Sequence, residues 1–263
     1  MNRIDLKFQQ LRKAGKKAFI AYITAGYPSL EATEALVLAL EESGADIIEL
    51  GIPFSDPMAD GPTIQEASFK ALENGTTVRK ILDMVRAIRR VSNIPLALMT
   101  YYNPVFHVGD AHFVEAAAAA GIDGLIIPDL PPDEAKELRA ACLAHDVANI
   151  FFLSPTTTAA RIAPIAKAST GFIYFVSVAG VTGSRKSIPA EIARDIRAAK
   201  KVTDKPVCIG FGVSTPEEVK AMANISDGVI VGSAIIKEIT KHSGQKDMPA
   251  RVAAFVQKLS SAL

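Results

Sequence analysis

The feature that most constrains the fold is a regular alternation of short apolar runs with amphipathic stretches along the whole chain. Each run is rich in strand-forming residues, and the stretches between them have the period of a helix. The stretches predicted as helices include Leu30 to Ser43, Val78 to Val91, Ala111 to Ala120, Asp133 to His145 and Pro189 to Lys200. The runs predicted as strands are Ala18 to Thr24, Asp46 to Gly51, Pro95 to Tyr101, Gly124 to Pro128, Ala148 to Leu153, Gly171 to Val176, Pro206 to Gly210 and Gly228 to Val231. This order predicts an α/β protein with a parallel sheet, because helical crossovers join strands that run in the same direction.

The number of units favours a closed barrel over an open, doubly wound sheet, which is the alternative. Eight units in 263 residues give about 33 residues each, close to a (β/α)8 TIM barrel of roughly 250 residues. The segment from Arg3 to Lys13 places Ile4, Phe8 and Leu11 on one face, which predicts an extra N-terminal helix that plugs the barrel. No linker interrupts the chain, so we expect residues 1–263 to form one barrel domain.

Composition excludes several classes of protein. Lys and Arg total 29 and Asp and Glu total 28, so the chain lacks the positive excess of a nucleic-acid-binding protein. The longest uncharged run, Val91 to Gly109, contains two prolines and does not fit a membrane-spanning helix. The first residues lack the apolar core of a signal peptide, and the cysteines and histidines lack metal-ligand spacing. We expect a cytoplasmic protein, or a plastid stromal one if the source is a plant, with a small-molecule ligand and no metal.

The second predicted strand places a carboxyl group in an apolar setting. A period of two puts Ile47, Glu49 and Gly51 on the same face. If this face lines the barrel interior, burial raises the pKa of Glu49 toward neutrality, where a carboxyl group both donates and accepts a proton. The alternatives are a Glu49 paired with a buried Lys or Arg, or one turned to solvent at the strand end.

A stiff loop after this strand supplies a second carboxyl group. Residues Pro53 to Pro62 include three prolines and two aspartates. Active sites of TIM barrels lie at the C-terminal ends of the strands, so this loop is placed to hold Asp60 over the barrel mouth, with Asp56 as the second candidate. The alternative is that Asp60 only orders an Asp-Gly turn.

Glycines after the last three predicted strands indicate a phosphate site. The residues of this cluster are Gly183, Gly212, Gly232 and Ser233. Glycines let backbone N–H groups approach an anion, and a helix that begins near Ser233 directs its positive end toward it. Each Gly-Ser pair alone is an ordinary turn, and it is their combination in the last units of a barrel that points to phosphate.

Several motifs make the chain similar to a known family. The run from Ile48 to Gly61 (IELGIPFSDPMADG) resembles the signature of the tryptophan synthase alpha chain family, and the resemblance extends along the whole chain. Supporting matches are Thr24-Ala25-Gly26-Tyr27-Pro28, Tyr102-Asn103-Pro104-Val105-Phe106, Pro128-Asp129-Leu130-Pro131, Gly180-Val181-Thr182-Gly183 and Gly210-Phe211-Gly212. The resemblance implies a carbon–carbon lyase of tryptophan biosynthesis, which cleaves indole-3-glycerol phosphate to indole and glyceraldehyde 3-phosphate by a retro-aldol reaction.

The resemblance also implies roles for particular residues. It makes Glu49 the acid and base and Asp60 the ionised group that faces the indole N–H, with Tyr174 and Thr182 in supporting catalytic roles. The implied indole pocket consists of Tyr22, Met99, Thr100 and Phe211. Tyr22 departs from the phenylalanine expected at its position. The implied partner contacts are Pro53, Asp56, Asn103 and Pro104.

The resemblance further implies a partner. It implies an allosteric alpha2beta2 heterotetramer in which a beta subunit receives the indole, no cofactor in this chain, and pyridoxal phosphate only in the partner. The loop that contains Thr182 is implied to close toward Asp60 as a lid. Two alternatives remain open: a free-standing indole-3-glycerol-phosphate lyase that releases indole, and a catalytically silent barrel kept as an allosteric partner. Another phosphate-binding barrel enzyme, such as an epimerase or isomerase, fits the residues but lacks support from the signature loop.

Overall fold

The computed structural model describes residues 2–176, 190–210 and 212–263, in which helices surround a sheet of parallel strands. The strands are β1 Ala18–Thr24, β2 Ile47–Gly51, β3 Leu96–Met99, β4 Gly124–Ile126, β5 Ala148–Ile150, β6 Phe152–Leu153, β7 Ile173–Val176, β8 Val207–Gly210 and β9 Gly228–Val231. The helices are α1 Arg3–Lys13, α2 Leu30–Glu42, α3 Pro62–Glu73, α4 Val78–Ile88, α5 Tyr102–Val108, α6 Asp110–Ala120, α7 Lys136–Ala144, α8 Ala159–Ala168, α9 Ala190–Val202, α10 Pro216–Ala223, α11 Ser233–His242 and α12 Met248–Ser260.

The two edge strands of the sheet are halves of one predicted strand. The spatial order is β5-β4-β3-β2-β1-β9-β8-β7-β6, and only Phe151 separates β5 from β6. The Phe151 carbonyl accepts a hydrogen bond of 3.0 Å from the Tyr174 N–H, so pairing continues across the interruption. The sheet therefore closes on itself, which confirms the predicted TIM barrel and excludes the open, doubly wound sheet.

The barrel interior has its own apolar cluster, which α1 caps. Ile47 on β2 belongs to this interior cluster, whereas Ile48 and Leu50 pack between the sheet and the surrounding helices. Ile4 of α1 enters from the N-terminal end, so that a Cβ on Gly124 would lie 2.9 Å from its Cδ1 atom. The predicted plugging helix is confirmed, and the predicted inward face of β2 is the one that carries Glu49.

Side-chain acceptors connect neighbouring strands at the N-terminal end of the barrel in a repeating pattern. In each case a residue shortly before one strand accepts a hydrogen bond from the backbone N–H near the start of the preceding strand. The pairs are Phe19 N–H to Asp46 at 2.9 Å, Leu96 N–H to Asp123 at 2.9 Å, Asn149 N–H to Thr170 at 2.7 Å and Val207 N–H to Asp227 at 3.0 Å. When β5 and β6 are counted as one strand, the repeat groups the strands into four successive pairs. Each pair is joined at the N-terminal end of the barrel.

Asp123→Ala is expected to lower the free energy of unfolding by about 3 kcal/mol, measured by urea denaturation. The buried Asp123 carboxylate also accepts hydrogen bonds from the Arg3 and Arg89 guanidinium groups at 2.9 and 2.7 Å. The substitution removes the acceptor of the Leu96 N–H and leaves the largely buried Arg89 charge without this partner.

Asp133→Ala is the control for this prediction, because Asp133 pairs with Arg161 at the surface and its side chain is 62% exposed. Exposed pairs contribute less than about 1 kcal/mol. Similar losses in the two variants would show that the interstrand bonds of Asp123 add no stability of their own.

Several predicted boundaries were wrong where prolines or turns intervene. Helices α5, α8 and α10 were not predicted; α5 and α10 carry a proline in their first turn, where a missing N–H is harmless, and α8 contains Pro164. The helix predicted from Asp133 to His145 begins only at Lys136, because residues 131–135 form a turn. Among the described residues, none of the helices has both the length and the apolar character needed to cross a membrane.

Candidate active site

Glu49 lies inside the barrel near the C-terminal end of β2. Its side chain is 0% exposed, and neither carboxyl oxygen has a hydrogen-bond partner among the described residues. In the part of the chain described, it is therefore neither paired with a Lys or Arg nor turned to solvent. Burial first, and then the negative charge of Asp60, raise the pKa of Glu49 to about 8. A carboxyl group with this pKa is mostly neutral at pH 7 and still able to exchange its proton.

Asp60 lies in the loop between β2 and α3. Its N–H donates to the Pro57 carbonyl at 3.0 Å, and its carbonyl accepts from the Gln65 side-chain amide at 2.9 Å, so the backbone is held in a turn. Burial raises the pKa of its carboxyl group to about 6, while a hydrogen bond with Tyr101 opposes that rise. Between the two pKa values, Glu49 is neutral and Asp60 is ionised, the division expected of a two-carboxylate site.

Tyr101, which the sequence analysis did not single out, holds the Asp60 loop. It follows β3 and is buried, and its hydroxyl oxygen accepts a hydrogen bond of 2.9 Å from the Ala59 N–H. The same hydroxyl group interacts with the Asp60 carboxylate, and the ring stacks on Phe54 with 5.4 Å between centroids. The available signal was an aromatic residue with a polar tip at the end of the predicted strand Pro95 to Tyr101, and the adjacent Tyr102 gives a similar signal.

Two tyrosines share the barrel interior with Glu49, and strand-end glycines make room for their hydroxyl groups. A Cβ on Gly51 would lie 2.1 Å from the Tyr22 hydroxyl oxygen, and one on Gly210 would lie 2.7 Å from that of Tyr174. Burial and then the charge of Glu49 raise the pKa of Tyr174 well above its ordinary value. Tyr174 is therefore a neutral hydroxyl group near Glu49, as a supporting role requires.

Two of the other predicted indole-pocket residues, Met99 and Thr100, lie at the C-terminal end of β3. Met99 is its last residue and is register-paired with Gly51, and the buried Thr100 follows it. Met99 packs against both the interior and the outer apolar cluster. Phe211 lies outside the described residues.

The predicted phosphate residues follow the last strands of the barrel. Gly212 comes after β8 with a φ of 49°, a conformation that glycine adopts without strain. Gly232 precedes α11, and Ser233 is its first residue, so the free N–H groups of this helix begin at the C-terminal end of β9. Gly183 and Thr182 lie outside the described residues.

The predicted partner contacts differ in exposure. Asp56 is exposed and accepts a hydrogen bond of 2.6 Å from the Ser55 hydroxyl. Asn103 is exposed and Pro104 half-buried in the first turn of α5, whereas Pro53 is buried. Asp56 and Asn103 are therefore the surface positions of this set.

The closed parallel barrel, with two carboxyl groups of different pKa toward the C-terminal ends of its strands, places the protein among TIM-barrel enzymes of acid–base chemistry. The family model for the tryptophan synthase alpha chain matches residues 8–263. The tryptophan synthase alpha chain of Geotalea daltonii is 47% identical over 263 residues, which are 100% of this chain and 99% of that protein. The chain therefore belongs to the tryptophan synthase alpha chain family.

Solved structures agree with this assignment. The crystal structure of tryptophan synthase subunit alpha from Legionella pneumophila superposes with a TM-score of 0.92 at 39% identity, covering 100% of this chain and 98% of that one. A crystal structure of tryptophan synthase from M. tuberculosis gives a TM-score of 0.89 at 36% identity, with 100% and 99% covered. Both similarities extend over the whole barrel.

Proposed function

We propose that Glu49 and Asp60 share the acid–base work by which this chain cleaves indole-3-glycerol phosphate to indole and glyceraldehyde 3-phosphate. This is the carbon–carbon lyase reaction of the family, in tryptophan biosynthesis. The observation that carries the proposal is the separation of the two pKa values, about 8 for Glu49 and about 6 for Asp60. In that interval one group holds a transferable proton and the other holds a fixed negative charge.

Glu49 performs both proton transfers. The neutral carboxyl group donates its proton to carbon 3 of the indole ring, which prepares the carbon–carbon bond to break. The bond then breaks as the hydroxyl group on the departing glycerol carbon loses its proton to the ionised Glu49, and the bonding electron pair returns to the ring. One proton is donated and one recovered, so Glu49 ends the cycle neutral and the reaction consumes no cofactor.

Asp60 stabilises the intermediate between these transfers. Protonation at carbon 3 places positive charge on the ring nitrogen, and an ionised carboxylate that faces the N–H lowers the energy of that state. Tyr101 holds the Ala59 N–H at 2.9 Å and interacts with Asp60, so the carboxylate does not have to be brought into place during the reaction.

The phosphate group of the substrate is assigned to the glycine cluster after the last strands of the barrel, which β1 separates from β2 and Glu49. The start of α11 at Ser233 supports this assignment, since the first turn of a helix has free N–H groups, and Gly212 has no side chain to keep an anion from the backbone. Gly232 and Gly183 complete the predicted cluster, and Thr182 remains the predicted lid residue.

The partner is a tryptophan synthase beta subunit, which carries the pyridoxal phosphate, in an alpha2beta2 complex in the cytoplasm or, in a plant, the plastid stroma. Support comes from family membership and from the surface around the Asp60 loop. Met58 beside Asp56 is 81% exposed, and Phe106 on the helix that carries Asn103 is 69% exposed. Both exposed apolar side chains lie in the segments that carry the predicted partner contacts, which supports docking there.

The experiment that tests this function is a product analysis. The purified chain is incubated with indole-3-glycerol phosphate, alone and with a cognate beta subunit, and both products are quantified. We expect equal amounts of indole and glyceraldehyde 3-phosphate, and a faster reaction when the beta subunit is present. A high rate that the beta subunit does not change would select the free-standing lyase, and no products in either case would select the silent barrel.

A further inference from the structure

Tyr22 fills the space between the Glu49 side and the phosphate side of the barrel mouth. It is the register partner of Glu49 on the neighbouring strand. A Cβ on Gly232 would lie 3.3 Å from the Tyr22 Cβ, and one on Gly51 would lie 2.1 Å from its hydroxyl oxygen. Gly51 follows Glu49 by two residues on the same inward face. The hydroxyl group therefore lies against the end of β2, on the mouth side of Glu49.

The hydrogen bond of this hydroxyl group is a weak one. Its partner among the described residues is the Thr24 hydroxyl oxygen, 3.4 Å away, and both side chains are buried. A separation of 3.4 Å is well beyond the usual length of about 2.7–2.8 Å between two hydroxyl oxygens. A carboxylate is a far stronger acceptor, so an ionised carboxylate that moves within reach competes with Thr24 for the phenol O–H.

Glu49 provides such an acceptor during the reaction. Neither of its oxygens has a hydrogen-bond partner among the described residues. Once Glu49 has given its proton to the substrate, it is a buried carboxylate, and a buried carboxylate without a donor is strongly disfavoured. The ionised intermediate therefore needs a donor, and the Tyr22 hydroxyl group lies beside the end of the strand that carries Glu49.

We propose that Tyr22 is a positioning residue whose hydroxyl group turns from Thr24 to Glu49 when Glu49 gives up its proton, and so stabilises the ionised intermediate. The proposal rests on the function proposed above. The proposal gives the Tyr22 hydroxyl group a function at a position where the ring of a phenylalanine would fill the same apolar space.

Burial and the surrounding charges keep Tyr22 in the form that donates. Burial, and then the charge of Asp60, raise its pKa well above the ordinary value, so it remains protonated wherever the enzyme works. Tyr174 is the other interior tyrosine near Glu49, but its hydroxyl group lies against Gly210 of β8, whereas that of Tyr22 lies against Gly51 of β2, the strand of Glu49. The titratable groups that face Tyr22 or its neighbours in the interior are Glu49, Asp60, Tyr101, Tyr174 and Cys208.

The test is Tyr22→Phe, which removes the hydroxyl group and keeps the ring. We expect kcat for indole release, measured with the beta subunit present, to fall about 10-fold, the usual effect of losing a hydrogen bond to a charged group, with KM little changed. The alkaline limb of the kcat/KM profile reports ionisation of Glu49. We expect it to move to higher pH by about one unit, because the ionised form has lost a donor. A purely structural role would not move this limb.

Two control variants test whether the shift of the alkaline limb is specific to the Tyr22 hydroxyl group. Thr24→Val removes the competing partner and leaves the donor, so the alkaline limb moves down or stays in place. Tyr27→Phe removes a tyrosine hydroxyl group that pairs with the exposed Thr240 at 2.9 Å, away from Glu49, and leaves the limb unchanged.

An infrared titration of the Glu49 carboxyl band, identified by its loss in Glu49→Gln, separates this proposal from the proposed function. If the wild type releases no indole, the proposed function is wrong, and the band still reports whether Tyr22→Phe raises the pKa of Glu49. An upward shift supports the proposal. Superposition of the wild-type and Tyr22→Phe titrations, or a downward shift, overturns it.

Discussion

Glu49→Gln is expected to abolish cleavage, with a fall in kcat of about 10³-fold or more, while substrate binding changes by no more than a few fold. The amide keeps the shape of the side chain and removes the proton that both transfers need, and general acid–base groups contribute rate factors of about 10² to 10⁴. Indole release at saturating substrate measures the effect. A variant that keeps a tenth of the wild-type rate would show that Glu49 is not the acid and base.

Unfolding in urea at pH 6 and pH 9 is the control for loss of fold. The pKa of Glu49 is about 8 in the folded chain against an ordinary value of 4.5, so the folded state holds more protons between these values. The contribution of Glu49 to stability is therefore fully present below about pH 4.5 and is lost as the pH rises to 8. Glutamine has no charge to bury, so the variant gains stability relative to the wild type at pH 9. Destabilisation at both pH values would point to damaged packing instead.

Asp60→Asn is expected to lower kcat by about 10²-fold or more, because it removes the negative charge that faces the ring nitrogen in the intermediate. Asparagine still accepts a hydrogen bond from Tyr101, and the backbone bonds of residue 60 to Pro57 and Gln65 are unaffected. The thermal midpoint is therefore expected to stay close to that of the wild type. Single-turnover cleavage and a thermal melt together measure the two effects.

A loss of stability as large as the loss of rate would contradict this role for Asp60. That outcome would assign the residue to the Asp-Gly turn alone. An unchanged rate would leave Glu49 as the one carboxyl group needed for the reaction.

The barrel could be predicted because its signals are local. The alternation of strands and helices, the period of two that puts Ile47 and Glu49 on one face, and the apolar face of α1 are all visible within short windows. The interruption at Phe151 was not predictable, because it depends on pairing with strands on both sides of β5 and β6. The helix α8 was missed because Pro164 argues against a helix when only the chain itself is considered.

The two carboxyl groups of the candidate site could be proposed from the sequence, but their surroundings could not. The signature run from Ile48 to Gly61 contains both Glu49 and Asp60 and pointed to them. The Glu49 oxygens have no hydrogen-bond partner among the described residues, and this depends on how the barrel closes around them. The sequence does not show which of the adjacent residues Tyr101 and Tyr102 contacts the Asp60 loop. The path of that loop places the Ala59 N–H within hydrogen-bond distance of the Tyr101 hydroxyl oxygen. The roles of Thr182, Gly183 and Phe211 stay predictions.

The pH dependence of kcat/KM for indole release tests the central claim most directly, because it reads the ionisation of the free enzyme. With Asp60 ionised above about pH 6 and Glu49 protonated below about pH 8, we expect a bell-shaped profile with limbs near these two values. Glu49→Gln should remove the activity at every pH. A rate that passes unchanged from pH 7 to pH 10 would contradict the account, since Glu49 would then have no proton to give.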